Sequence, residues 1–331
     1  MSINDSLMNE LRKHSSDSHR LRSIGDFFTT YFPFKVQKIS INAGFTCPNR
    51  DGTKGWGGCT YCNNQTFSPQ YTANDKPVGR QLEEGIRFFS RKYPEMKYIA
   101  YFQAYTNTYG ETEKLLEKYK EALSYPNVVG LIVGTRPDCM SDELLNELEK
   151  IIQNHFLLIE YGIESTDNQT LQFINRGHTY EDAVETISRT HERNIFCGAH
   201  LILGLPGESR QTILAHVDRI SQLPLTTVKL HQLQLIRGTK MALQYKEEPD
   251  IFHLYKIDEY IDLCIDFMER LHPEFVIERF VSQSPKELLI APDWGLKNHE
   301  FTAKLNKRIK ERNAFQGRLY NTEAAKSSAS C

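Results

Sequence analysis

No apolar run in this 331-residue chain approaches the ~18 residues that a membrane-spanning helix requires. The opening stretch, MSINDSLMNELRK, contains no apolar core of the kind that marks a secretory signal. Together these absences predict a cytoplasmic protein with no membrane partner. An excess of one charge is also lacking. The formal net charge is −2, so no global field draws in nucleic acid, and any such binding must come from a local patch. The chain shows no low-complexity linker and no internal repeat beyond an alternation of strand-like and helix-like runs. Finally, its one cluster of cysteines has no fourth member nearby. Of seven cysteines, Cys47, Cys59 and Cys62 share one loop, while Cys139, Cys197, Cys264 and Cys331 are scattered. Three of the scattered ones lie among apolar neighbours, where a small buried hydrophobe is the ordinary role. In a reducing compartment, clustered thiols point to a metal or catalytic site rather than to disulfides.

What the chain does contain is ordinary for a globular protein, with 40% hydrophobic and 25% charged residues and enough length for a large core. From Pro33 onward, β-branched runs alternate with amphipathic ones, the pattern of βα units around a parallel sheet. Six strands are predicted, over Lys35–Ile41, Lys97–Phe102, Val128–Val133, Phe156–Tyr161, Phe196–Leu203 and Thr227–Leu235. Helices are predicted between them, with hydroxyl caps at Ser141 and Thr179. Later come a long helix over Phe252–Leu271, a short strand over Val276–Phe280 and a basic amphipathic helix over Lys297–Arg312. The fold class expected is α/β, a partial (β/α)6 TIM-like barrel. Its parts are an N-terminal helical extension (1–30), the barrel (31–245), a small α-rich C-terminal region (246–316) and a disordered tail (317–331). Six units need not close a barrel, and the active face of such barrels is at the C-terminal strand ends.

The three-thiol loop follows the first strand and reads CPNRDGTKGWGGCTYC, a C-x11-C-x2-C spacing. A structural zinc site usually takes four protein ligands in a closed tetrahedron. Iron–sulfur clusters take one thiolate per iron, so three thiols on a four-iron cluster leave one iron open. Further motifs fall at the ends of later strands: YFQAYTNTYG after the second, GTRPD after the third, EYGIES with NRGH after the fourth, GLPGE after the fifth. On these motifs the chain resembles the radical S-adenosylmethionine (radical SAM) superfamily over about residues 25–315. Within it the chain looks like the bacterial YhcC/YtqA branch, close to the radical SAM domain of the elongator catalytic subunit.

The resemblance implies a [4Fe-4S] cluster on Cys47, Cys59 and Cys62, with S-adenosyl-L-methionine (SAM) chelating the open iron. Reductive cleavage of SAM then gives a 5′-deoxyadenosyl radical. By motif match, Tyr61 lies against the adenine, Glu164 bonds the ribose, Arg176 pairs with the SAM carboxylate, and the turn from Gly204 to Glu208 approaches the adenine edge. Gln103 and Thr106, with Asn107, stand where most of the superfamily has a Gly-Gly-Glu motif for the methionine amino group. Plainer readings accompany each: a zinc knuckle, a Glu164–Arg176 ion pair at a helix entrance, core packing for Tyr61, a generic GLPGE turn, and a core histidine for His231, the candidate substrate contact on strand six. The elongator likeness suggests tRNA, through C5 modification of the wobble uridine, as the substrate of this tRNA-modifying transferase. It also implies an electron donor such as flavodoxin or ferredoxin, and a partner enzyme completing the modification. Lys304, Lys307, Arg308 and Arg312 are the candidate RNA contacts, although such a basic helix is often only a solvated face. A radical SAM enzyme acting on a small molecule or protein, and a zinc-dependent binding module without enzymatic activity, remain the alternatives.

Overall fold

Seven parallel strands form one curled sheet whose two outer edges are not paired to each other. The computed structural model describes residues 20–67, 69, 71–72, 75–91 and 95–321. The strands are β1 (Val36–Ile41), β2 (Lys97–Phe102), β3 (Val128–Thr135), β4 (Phe156–Glu164), β5 (Phe196–Leu203), β6 (Thr227–Gln232) and β8 (Val276–Arg279), hydrogen-bonded in that order. The first six occupy their predicted positions. β3 and β4 run two and three residues further, which carries their last side chains up to the C-terminal end of the sheet. The sixth ends at Gln232, and Leu235–Ile236 forms a separate strand, β7, antiparallel to β9 (Leu289–Ala291).

The seventh strand is the main difference from expectation. Val276–Arg279, predicted as an isolated short strand beyond the barrel, pairs parallel with β6 through Val228 and Ile277. It escapes a six-unit reading because its crossover is long, holding β7 and two helices. The barrel therefore draws on the region after 245 for its last strand.

Helices pack around the sheet, most of them on its outer face where their apolar stripes demand it. They are α1 (Ile24–Tyr31), α2 (Val78–Ser90), α3 (Thr112–Leu123), α4 (Asp142–Ile151), α5 (Asn168–Phe173), α6 (Tyr180–Glu192), α7 (Arg210–Ile220), α8 (Lys240–Glu247), α9 (Ile257–Arg270) and α10 (Asn298–Glu311). Ser141 and Thr179 are N-caps as predicted, each accepting from the backbone N–H three residues on. The predicted helix over 252–271 begins only at Ile257. Residues 252–255 instead run past Trp294, whose indole N–H donates to the Tyr255 carbonyl at 3.1 Å. The expected disorder from 317 is corrected over 317–321. Gly317 and Leu319 donate backbone bonds to the Met268 and Glu269 carbonyls, and the Arg318 guanidinium pairs with Glu269 at 2.5 Å. Residues 1–19 of the predicted helical extension and 322–331 of the predicted tail lie outside the described residues.

The barrel interior is layered. At the bottom, α1 presses Phe27 and Phe32 against Phe156, Phe196, Ile99 and Val276 to make an apolar floor. Phe27 and Phe196 meet edge to face with ring centroids 5.7 Å apart. This floor seals the end opposite the strand tips. Phe27→Ala should destabilise the protein by about 3–5 kcal/mol. Phe88→Ala, on an exposed ring of α2, should stay within about 0.5 kcal/mol of the parent. Urea denaturation of the two variants against the parent measures both.

Candidate functional site

Above the floor, the C-terminal strand ends surround a cavity that opens to solvent. Cys47, Cys59 and Cys62 all line it.

The cysteine loop is fixed by being sewn to the segment after β4. Asn49 donates through Nδ2 to the Asn175 and Arg176 carbonyls at 2.7 and 3.0 Å, and its amide also lies 3.6 Å from the Cys59 sulfur. In return Asn175 donates to the Gly58 carbonyl at 3.0 Å, and Thr60 N–H to the Ile174 carbonyl at 2.9 Å. Arg50 closes the loop on itself through the Cys62 carbonyl at 2.9 Å. Gly177 permits this approach, because it has φ +74° and a Cβ there would meet Asn49 Oδ1 at 2.6 Å.

Arg176 is the buried centre of this seam, 6% exposed. Its Nη2 donates to the Gly162 carbonyl at 2.6 Å and lies 3.6 Å from Glu164, while Nη1 lies 3.6 Å from the Cys59 sulfur. Glu164 itself has φ +71°, a strained conformation for a side-chain-bearing residue. Gly162 leaves the room that this pair needs, since a Cβ there would sit 2.6–2.7 Å from both charged groups. The ion-pair reading of Glu164 and Arg176 thus describes their contact, and both also face the cavity. Burial and the adjacent Glu164 raise the Tyr61 phenol well above its usual value, so Tyr61 stays neutral beside the thiols. Burial, with the neighbouring Cys59 thiol, pushes Cys62 up to about 11 against the pull of Arg50.

Gln103 and Thr106 line the cavity as well. Gln103 donates to Ser40 Oγ at 2.7 Å. Asn107 is spent on backbone, donating to the Phe102, Ala104 and Gly134 carbonyls. Gly204 and Glu208 lie outside the lining. Glu208 accepts from Ser165 Oγ at 2.6 Å and stands 3.0 Å from His216 Nε2, in a buried cluster that anchors the turn after β4 from behind. Gly204, at φ +93°, packs under the Tyr255 ring. His231 does line the cavity, beside Arg279.

Sequence reasoning misses a charged layer between floor and cavity. Lys229 on β6 donates to Glu160 on β4 at 2.5 Å and lies 2.7 Å from Glu278 on β8. Lys38 on β1 reaches Glu278 at 2.8 Å, across the unpaired edges of the sheet, and Glu160 at 3.5 Å. Tyr101 donates to Glu160 at 2.8 Å, and His200 Nε2 is 2.9 Å away. Burial alone would raise the Glu160 carboxyl, but the Lys229 and Lys38 ammonium groups hold it well below its usual value. Burial lowers both His200 and His231, helped by the cations beside them, so the two imidazoles are neutral. The available signal was a lone charge in the middle of a strand, Glu160 in FLLIEYGI and Lys229 in TVKLHQ.

The basic helix α10 presents less free charge than expected. Arg308 pairs with Asp262 at 3.1 Å and Arg312 with Asp266 at 2.5 Å, both on α9. Lys304 and Lys307 remain exposed, with Glu311 at 3.8 Å from Lys307. Just before the helix, the Leu296 carbonyl accepts from Gln283 at 3.2 Å, a residue between Ser282 and Ser284 of the cavity lining.

The residues present suit a [4Fe-4S] cluster with SAM. Among the described residues, no three His, Cys, Asp or Glu side chains converge on one ion. A cubane needs separate thiols around one space, one per iron. Amide and guanidinium N–H groups aim at Cys59, as suits a thiolate. Arg176 Nε and Arg136 Nη1 are buried without partners, which suits an occupant bringing acceptor atoms. Among the described residues, no helix is long and apolar enough to cross a membrane.

Comparison with known proteins agrees with this geometry. The family model of the Radical SAM superfamily matches residues 44–220, and that of the Radical_SAM C-terminal domain matches 225–311. The YtqA protein of Bacillus subtilis is 32% identical over 93% of this chain and 95% of its own. The YhcC protein of Escherichia coli K12 is 34% identical over 82% and 86%. A tRNA uridine(34) acetyltransferase of Methanocaldococcus jannaschii is 25% identical over 45% of this chain and 27% of its own. Among solved structures, the archaeal Elp3 of Methanocaldococcus infernus shares the fold, with a TM-score of 0.64 at 17% identity over 86% of this chain and 64% of that one.

Near the thiols, Arg136 holds Asp138 by two hydrogen bonds of 2.9 Å, and Lys54 adds a third contact. Burial would raise the Asp138 carboxyl, but Arg136 brings it down to about 2. A depressed carboxyl contributes stability above its unfolded value near 4 and loses it as pH falls through its folded value. Asp138→Asn should therefore cost about 2 kcal/mol at pH 7. The gap to the parent should close between about pH 4 and pH 2, as read by urea denaturation across that range.

Proposed function

The chain belongs to the radical SAM superfamily, and from that premise we propose that it is an enzyme that cleaves SAM reductively at a [4Fe-4S] cluster and acts on tRNA at C5 of the wobble uridine. The observation that carries the reading is the placement of all three thiols of C-x11-C-x2-C on the wall of one cavity at the strand tips. When bound, cluster and SAM would supply one-electron cleavage of the sulfonium and a 5′-deoxyadenosyl radical for hydrogen abstraction.

The chain's own residues would do the rest. Cys47, Cys59 and Cys62 hold the cluster, and Asn49 and Arg176 donate toward Cys59. Tyr61 gives the adenine a neutral aromatic face, and Glu164 offers a carboxylate to the ribose hydroxyls. Arg176, through the N–H it still has free, and Gln103 with Thr106 orient the carboxylate and amino ends of SAM. Glu208 and Gly204 act from behind the wall by fixing the turns after β4 and β5. An electron donor such as flavodoxin or ferredoxin is required, and a partner enzyme would complete the modification. The tRNA part is supported by the partial match to tRNA uridine(34) acetyltransferases and by exposed Lys304 and Lys307 on α10.

Cys47→Ala, Cys59→Ala and Cys62→Ala should each lose the cluster's absorbance after anaerobic reconstitution, and SAM cleavage with it, while circular dichroism stays native. SAM cleavage by any one of the three would sink the assignment. Removing iron with a chelator should abolish cleavage in the parent. For the substrate, nucleoside mass spectrometry of tRNA from a deletion strain should show an altered wobble uridine, and an unchanged profile removes tRNA from the proposal. Lys304→Ala with Lys307→Ala should weaken tRNA binding and lower its salt slope by about one per lost phosphate contact, measured by filter binding at several salt concentrations.

A further inference from the structure

We infer that Arg279 and His231 form a subsite for a carboxylate of the substrate, on the β6–β8 wall at the inner end of the cavity. The argument begins with charge. In the layer beneath, the Lys38 and Lys229 ammonium groups are matched by the Glu160 and Glu278 carboxylates. Arg279 adds one more positive charge at the cavity wall. Among the described residues no carboxylate stands within ion-pair distance of it. Its contacts are the two ring nitrogens of His231, at 3.2 and 3.4 Å from Nη2. Its Nε–H is buried and has no acceptor. A desolvated guanidinium N–H without a partner is costly, and an anion arriving from the cavity supplies what it lacks.

The surroundings choose the kind of anion. Besides Arg279, the lining holds uncharged His231, Gln234, Ser282 and Ser284, and it holds Glu160, whose carboxylate is matched by Lys229 and Lys38 in the layer beneath. The two serine hydroxyls donate to Gln234 Oε1, at 3.4 and 2.8 Å, which turns the amide N–H₂ end away from them. One unmatched positive charge beside an ion layer that balances itself suits a monoanion with two oxygens in a plane, the shape a guanidinium edge binds through paired hydrogen bonds. A phosphate dianion would want a second cation. Because the charged layer and the aromatic floor close the barrel below, the group held here is the innermost part of the substrate. The inference requires only that this cavity receives substrate; it holds for a nucleoside substituent and for a small molecule alike, and so stands apart from the tRNA reading.

The test is a titration of trifluoroacetate into the full-length reconstituted protein, followed by fluorine NMR, with acetate and inorganic phosphate as competitors. Saturable line broadening is expected, displaced by acetate and not by phosphate at equal concentration. Arg279→Gln should weaken binding about tenfold or more, and Arg279→Lys nearly as much because the planar fork is lost. Arg193→Gln, on the outer surface, should leave binding unchanged. Parent-like affinity in Arg279→Gln overturns the subsite, as does absence of saturable binding in the parent. Displacement by phosphate as effective as by acetate overturns the assignment to a carboxylate. If the Arg279 variants fail to fold, His231→Gln provides the second reading: weakened binding supports the subsite, and undiminished binding overturns it.

Discussion

Glu160 has almost no contact with water, and four groups from four other chain segments reach it: Lys229, Lys38, Tyr101 and His200. A buried carboxylate of this kind tolerates no missing partner, since removing one ion of such a pair typically costs about 3–5 kcal/mol. The network therefore fixes the relative positions of β1, β2, β4, β5 and β6, and through Glu278 it includes β8. That matters because the sheet does not close by backbone hydrogen bonds. Side-chain charge takes over between β1 and β8, where Lys38 meets Glu278. The curvature that shapes the cavity is held from inside by ions, above a floor held by aromatic rings.

The cysteine loop depends on that curvature. Its long first gap carries eleven residues between Cys47 and Cys59, and a loop of that length has no fixed shape of its own. Its order comes from a second segment, 174–177, which supplies carbonyls to Asn49 and Thr60 and an amide to Gly58. Both partners stand on strand ends, the loop after β1 and the segment after β4, so their meeting reports that the strands between them are correctly staggered. The position of the thiols is thereby coupled to folding of half the barrel.

The strands and caps were legible because local patterns determine them. Ser141 and Thr179 signal helix starts within three residues, and runs such as FCGAHLIL admit few conformations. The three thiols were legible because their types and spacing are rare. The seventh strand was not, since four residues after a long crossover carry no periodic signal. Nor was the start of α9, because Leu254 continues the apolar spacing while tertiary contact with Trp294 pulls its neighbours out of the helix. Glu208 was misplaced for a related reason: GLPGE announces a turn, but not whether its side chain faces the cavity or His216. Arg308 and Arg312 looked like free cations because their acidic partners are about 46 residues away on another helix. The ionic layer went unseen because each strand contributes one charge, and only folding assembles them.

The stretch at 20–22 is knotted to the stretch at 313–316 by several bonds: Arg20 to Asn313 and Ala314, Gln316 to the Arg20 carbonyl, and Arg22 to the Gln316 side chain. The same place adjoins the start of β8, where Ile277 bonds to the Arg22 carbonyl. Both extremities of the described polypeptide thus emerge at the sealed base, a full strand's length from the opening. A fluorophore attached at position 20 or 321 would sit at the base, away from the opening at the strand tips. A rearranged gene that links these extremities and begins elsewhere would keep the barrel's wiring intact.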